Sequence, residues 1–278
     1  MPIIHAIVLG LVQGLAEFLP ISSSGHLLLV PWLFGWDDFD GDPGLEKAFD
    51  VALHIGTLVA VVAYFRRDLV VYVRDGVRLV VHRKRPSTME GRLAWLLVVS
   101  AIPAAVVGAL LSDWIDEQLG TPFIIAISLI GFGLLLGWVD RRSTGHRRVA
   151  DFHLRDSLVI GAAQVLSLNP GTSRSGITIT ASRHGGFDRD TAARISFLMA
   201  IPVTAGAIVY EMVSLANDGI PDGFIPPMIV GIVTSGVAGW FAVWGTITWV
   251  RSRTFAPFVI YRCALGGLVL LLMATGVR

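Results

Sequence analysis

Residues 17–26 read EFLPISSSGH, and they interrupt an otherwise apolar stretch, with Ile3–Phe18 before the break and Leu27–Phe34 after it. Neither flank is long enough to cross a bilayer, which takes ~20 apolar residues in a helix. A carboxylate, three consecutive hydroxyls and an imidazole in hydrocarbon are costly unless they face a cavity or a partner, so the cluster reads as functional. The two short runs and their polar break therefore predict a re-entrant hairpin that returns to the side it came from. Non-helical backbone at that depth is tolerated only where protein or water satisfies its polar groups.

The same pattern recurs at Leu154–Leu168, NPGTSRSG and Ile177–Ser182. GLVQGLAEFLPISSSG and GAAQVLSLNPGTSRSG align with one gap, pairing Gln13 with Gln164, Pro20 with Pro170 and Ser23 with Ser173. Further on, ALHIGTLVAVVAYF faces FLMAIPVTAGAIVY, and PFIIAISLIGFGLLL faces PFVIYRCALGGLVLL. Between and after the breaks lie six longer apolar runs: Phe49–Phe65, Leu93–Leu111, Pro122–Val139, Ala192–Leu215, Pro226–Val250 and Phe255–Met273. The fold expected is an all-α polytopic membrane protein, an inverted-topology repeat with six transmembrane helices plus two re-entrant helical hairpins. Residues 1–145 form the first repeat and 146–278 the second. Three spans per half is an odd number, so the second half enters from the opposite side and is inverted. Such folds place their binding site where half-helix N-termini meet at the repeat interface.

Composition agrees. Of 278 residues, 54% are hydrophobic and 15% charged, against about a quarter charged in soluble domains; mean hydropathy is +0.68. The single cysteine, Cys263, rules out an internal disulfide and a multi-cysteine metal site. The opening residues MPIIHAIVLG lack a basic region and a small-residue cleavage site, so no removable signal peptide is expected. Basic residues gather at Arg66–Arg85, Arg141–Arg148, Arg183, Arg189, Arg251 and Arg253, whereas GWDDFDGDPGLEK, SDWIDEQ and NDGIPDG are acidic. The Lys/Arg bias puts the basic set in the cytoplasm and the acidic loops and both termini outside. RRSTGHRR is a juxtamembrane loop in this reading, and no nucleic-acid partner is expected.

The two breaks carry anion chemistry. Ser22, Ser23 and Ser24 precede a helix, as do Thr172, Ser173 and Ser175, and hydroxyls there cap free N–H groups. A helix N-terminus also favours an anion. Arg174 is the arginine of the second break; it needs an anionic partner, and its planar fork matches phosphate. Glu17 is the alternative partner, in an inert ion pair. Ser23 and His26 are three apart, on one helix face if the helix starts at the serines. Histidine can act as base or nucleophile. Gln13 and Glu17 share a face, and their oxygens suit a hard divalent cation, Mg or Ca, bridging phosphate oxygens.

These residues resemble the bacterial undecaprenyl-pyrophosphate phosphatases of the bacitracin-resistance type. The family's Glu/Gln-x-x-x-Glu segment stands here as Gln13–Glu17 within QGLAEFLPISSSGH. Its Pro-Gly-x-Ser-Arg-Ser-x-x-Thr segment stands as Pro170–Thr178 within PGTSRSGIT, which adds Gly171 and Thr178 to the phosphate-binding candidates. The resemblance runs along the chain to YRCALGG, and Gln13 is the permitted alternative at its position, which makes a metal site here less anionic. It implies hydrolysis of the terminal phosphate of a C55 polyprenyl pyrophosphate at the outer face of the cytoplasmic membrane, recycling the lipid carrier for peptidoglycan synthesis. Expected partners are that lipid, the surrounding membrane lipids and, as an open alternative, a second copy in a homodimer. A lipid-phosphate flippase is the rival from another class. The nucleophile stays open between Ser23, with His26 taking its proton, and His26 itself. His26 faces Gly176 in the repeat alignment, and that asymmetry favours His26 as the indispensable participant.

Overall fold

The computed structural model describes residues 1–81, 88–215 and 222–278, and at 112, 113, 116, 117, 214, 215 and 222 the backbone only. Arg83, Lys84 and Arg85 of the basic loop, and residues 217–221 of the acidic NDGIPDG loop, lie outside the described residues. Eleven α-helices are described: α1 (Ile3–Phe18), α2 (Ser23–Phe34), α3 (Pro43–Tyr64), α4 (Arg66–Val81), α5 (Met89–Leu119), α6 (Pro122–Arg142), α7 (Leu154–Val165), α8 (Arg174–His184), α9 (Arg189–Leu215), α10 (Ile225–Val250) and α11 (Ala256–Ala274). Among the described residues the only β pairing is an isolated bridge between Arg147 and Phe187. The protein is all-helical, and α3, α5, α6, α9, α10 and α11 are long and apolar enough to cross a membrane. All six coincide with the apolar runs read from the sequence.

Local chemistry explains where the helices begin and end. Asp42 caps α3 by accepting the Gly44 and Leu45 N–H groups, with Pro43 in the first turn, and Thr121 with Pro122 does the same for α6. Pro20 stops α1 two residues earlier, since the residue before a proline avoids the helical region. The basic stretch after α3 is a finding beyond the sequence reading, which took it as loop. Arg66–Val81 folds into α4, which packs on α5. Its valines lie between charged residues, so hydropathy alone does not reveal it.

The two broken units sit in reciprocal positions. α1 packs on α10 and α7 packs on α5, while α6 pairs with α11 and α3 with α9. Both α1 and α7 approach their partner's backbone closely through glycine. A Cβ on Gly14 would lie 2.5 Å from Ser235 O, and one on Gly161 would lie 2.5 Å from Ser100 O. Small residues at helix contacts are how membrane helices gain packing without a hydrophobic driving force. The largest core runs through Phe18, Val61, Leu96, Ile179, Phe197 and Val243, and so joins α1, α3, α5, α8, α9 and α10 under the breaks.

The breaks share an unusual backbone. Ser22 (φ 79°) and Ser173 (φ 74°) are two of three non-glycine residues described with positive φ. Each caps the helix that follows, accepting the N–H of the glycine three residues on, Gly25 or Gly176. The alignment of Ser23 with Ser173 is therefore corrected by one residue. The second break is longer, Ser22 matches Ser173, and Ser23 stands opposite Arg174. Positive φ at a non-glycine residue costs ~1–3 kcal/mol and collects at functional sites.

Candidate active site

Glu17 ends α1 beside the first break, and the start of α8 brings Arg174 to it. Arg174 donates to Glu17 Oε1 from Nη2 at 3.0 Å and from Nε at 3.3 Å, and to Ser196 O from Nη1 at 3.0 Å. On the other oxygen, Ser23 Oγ donates to Glu17 Oε2 at 2.7 Å. Gln13 Nε2 donates to the same oxygen at 3.3 Å. The two structurally matched residues, Ser23 and Arg174, thus meet on opposite oxygens of one carboxylate. The ion pair weighed from the sequence exists, but it carries a serine hydroxyl and borders a cavity.

That cavity is a cleft of about 340 Å³. Glu17, Ser23, Ser24, Ser173 and Arg174 line it on one side, with His54 above and Val203, Thr204, Ala207 and Ile208 of α9 opposite. Lys47 and Asp50 near the start of α3 and Glu211 near the end of α9 also line it. The lining combines apolar side chains with charged and hydroxyl groups, as a lipid with an anionic head requires.

The remaining candidates lie behind the cleft, as supports. Ser22 is buried; its Oγ accepts the Gly25 N–H and, at 3.0 Å, the Gly171 N–H, tying one break to the other. Gly171 has φ 91°, and a Cβ there would lie 2.6 Å from Ile125 O, so the position demands glycine twice over. Thr172 accepts from Asn169, and Ser175 donates to Leu19 O across the break. Thr178 donates to Arg174 O and bonds the Ser196 hydroxyl at 2.7 Å, so it holds the Arg174 turn from below.

His26 lies apart from the cleft lining. Its Nδ1 is 2.6 Å from Ser22 O, and its Nε2 is 2.7 Å from Tyr261 OH. A ring nitrogen facing a carbonyl carries the proton, so Nε2 accepts from the tyrosine. The ring is also stacked parallel to Tyr261, 5.6 Å between centroids. With both nitrogens engaged, His26 fastens α2 to α11 and makes no bond to Ser23. The imidazole that does line the cleft is His54, which the sequence reading missed. Its Nδ1 bonds Asp50 O and its Nε2 is 3.8 Å from Glu17 Oε2. An imidazole inside an apolar span, at ALHIGTL, was the signal available.

The expected divalent cation finds few ligands. Among the described residues no group of three or more His, Cys, Asp or Glu side chains is placed to hold a metal. Glu17 already accepts from Arg174, Ser23 and Gln13, and Gln13 Oε1 is the one buried acceptor beside it without a partner. One paired carboxylate and one amide oxygen do not form an all-protein metal cage; a Mg ion arriving with the pyrophosphate would draw its other ligands from water and substrate oxygens, with Glu17 and Gln13 as the protein's contribution.

The chain is 46% identical over 278 residues to an undecaprenyl-diphosphatase of Pelobacter propionicus, covering 100% of this chain and 99% of the relative. It is 46% identical over 271 residues to the protein of that name from Geobacter sulfurreducens (97% and 98% covered) and 41% over 274 residues to that from a Nocardioides species (99% and 97%). A family model described as bacitracin resistance protein BacA matches residues 6–268, a span that takes in both breaks, five of the six membrane helices whole and most of α11. The chain belongs to the BacA family.

Proposed function

We propose that this protein hydrolyses undecaprenyl pyrophosphate to undecaprenyl phosphate and inorganic phosphate, with the Glu17–Ser23–Arg174 cluster as its reaction centre. The observation that carries the mechanism is the 2.7 Å bond from Ser23 Oγ to Glu17 Oε2 at the edge of the cleft. Serine is a weak nucleophile until an adjacent base takes its proton, and Glu17 is the base in reach. The incoming pyrophosphate competes for the Arg174 fork, which suits phosphate as well as carboxylate, and this frees Glu17. Ser23 Oγ then attacks the terminal phosphorus while its proton passes to Glu17. The bond from that phosphorus to the bridging oxygen breaks, and undecaprenyl phosphate leaves. Water attacks the seryl phosphate; Glu17 returns the proton to Ser23 Oγ, and inorganic phosphate departs. Ser24, Ser173 and the N-terminus of α8 lie where the phosphate oxygens would be held, and Val203, Ala207 and Ile208 where the first prenyl units would lie.

The chain is read as an inverted repeat with two re-entrant hairpins. The reciprocal packing of α1 on α10 and α7 on α5, and the matched serine caps, support that reading. The cleft lining includes Lys47 and Asp50 early in α3 and Glu211 late in α9, the helix ends that adjoin acidic stretches in the sequence, which supports an opening toward the outside of the cytoplasmic membrane. The deciding test is release of inorganic phosphate from undecaprenyl pyrophosphate by the purified protein in detergent. Tight binding without release would refute hydrolysis and leave a carrier.

A further inference from the structure

Arg262, on α11, is fully buried and lies outside both sequence motifs. Its guanidinium lies within hydrogen-bond distance of five main-chain carbonyls: Nη1 of Pro20 O (3.2 Å), Nη2 of Gly171 O and Thr172 O (both 2.9 Å) and, sharing its two hydrogens, of Ser128 O (3.4 Å), and Nε of Leu129 O (3.0 Å). One side chain therefore grips the first break, the second break and α6 together. Pro20 is three residues before Ser23, and Gly171 and Thr172 are three and two before Arg174. The carbonyls it holds belong to the non-helical backbone that decides where those two side chains meet.

We infer that Arg262 is a positioning residue for the reaction: it sets the separation and register of the two breaks, and through them the placement of Ser23 and Arg174 on Glu17. The molecule is built around this side chain. Gly133 of α6 leaves it room, since a Cβ there would lie 3.2–3.4 Å from Arg262 Cβ, Nε and Cδ, and a Cβ on Gly176 would lie 2.8 Å from Nη1. The neighbouring Tyr261 holds α2 through His26, so consecutive residues of α11 fasten both breaks and one of the helices they start. A plug for stray carbonyls would need no such reach, because any donor or a water can satisfy one carbonyl. Five acceptors in three segments need a planar fork with donors on both edges, which lysine lacks. The fixed charge also sits behind two helix N-termini, where it adds to the attraction for an anion.

This inference rests on the hydrolase reading, and the test separates the two. Phosphate release from undecaprenyl pyrophosphate is measured for wild type, Arg262→Lys and Gly133→Ala in detergent, with fold checked by circular dichroism and gel filtration. Wild type without activity refutes the hydrolase reading. With wild type active, folded Arg262→Lys is expected to lose at least ~10-fold in kcat while KM moves by less than ~3-fold, since small misplacements of reacting groups are felt in the transition state. Unchanged kcat, or a loss confined to KM, overturns the inference alone. If Arg262→Lys does not fold, Gly133→Ala decides. Its methyl pushes the guanidinium by a few tenths of an ångström, and a severalfold drop in kcat at constant KM is expected. Wild-type kcat in that variant overturns the proposal.

Discussion

Arg174 Nη2 lies 3.0 Å from Glu17 Oε1, joining two residues 157 positions apart where the two helix breaks meet. The pair is largely buried, at 12% and 7% side-chain exposure, yet it borders the cleft. A buried ion pair is weak support for stability, because desolvation consumes most of the attraction. Its value here is that a second anion can claim the arginine.

Arg174→Lys keeps the charge but loses the fork that reaches Glu17 and Ser196 O together. Turnover of undecaprenyl pyrophosphate should fall at least ~100-fold in a folded protein. A lysine variant with near wild-type kcat would make Arg174 a mere counter-ion.

Glu17→Gln removes the carboxylate proposed to take the Ser23 proton and leaves Arg174 without its counter-ion. Activity should drop by ~10²–10⁴-fold, the range for a positioned base. Stability should fall too, by up to ~3 kcal/mol, because one partner of a buried pair is stranded. Thermal unfolding in detergent, run beside the kinetics, separates the two losses. A variant that is less stable but fully active would show that Glu17 takes no proton.

Orientation has its own check. In a background with Cys263 replaced, a cysteine in the Asp37–Asp42 loop should react with a membrane-impermeant thiol reagent applied from outside. One placed among Arg141–Arg148 should stay unlabelled until the membrane is opened. The opposite pattern would turn the cleft to the cytoplasm.

On the basic side, Asp156 at the start of α7 is held by Arg147 at 2.6 Å and by the His153 N–H. Burial pushes its carboxyl up, but the Arg147 and His153 bonds outweigh this and hold it below the ordinary carboxylate range. Its folded-state pKa is depressed, so its contribution is present above the unfolded value and is lost as pH falls through the folded one. Asp156→Asn should therefore lower the melting temperature at pH 7 and narrow the gap from wild type in acid below about pH 4. A gap that does not change with pH would mean the pair is not ionised.

Much of this was legible in the sequence, and the misses have physical causes. The six spans stand out because burial in lipid demands long apolar runs, and the two breaks because polar residues there are costly. α4 does not stand out in the sequence because its charges alternate with its valines. The pairing of Ser23 with Ser173 slipped by one because letters cannot say which serine takes a positive φ. His26 drew attention as the imidazole inside the motif, while His54 comes to Glu17 only through the packing of α3 on α1. Side-chain direction is a property of the packed helices, and periodicity within one segment does not give it.

The most direct measurement is the ratio of two activities, Ser23→Ala against His26→Gln, on undecaprenyl pyrophosphate with both proteins verified as folded. Ser23 bonds Glu17 at the cleft, whereas His26 is turned to Ser22 O and Tyr261. The account expects Ser23→Ala to lose at least ~100-fold in kcat, and His26→Gln, whose amide can still bridge the same two partners, to keep measurable turnover. A dead His26→Gln beside a Ser23→Ala that still turns over would contradict it and return the chemistry to the histidine.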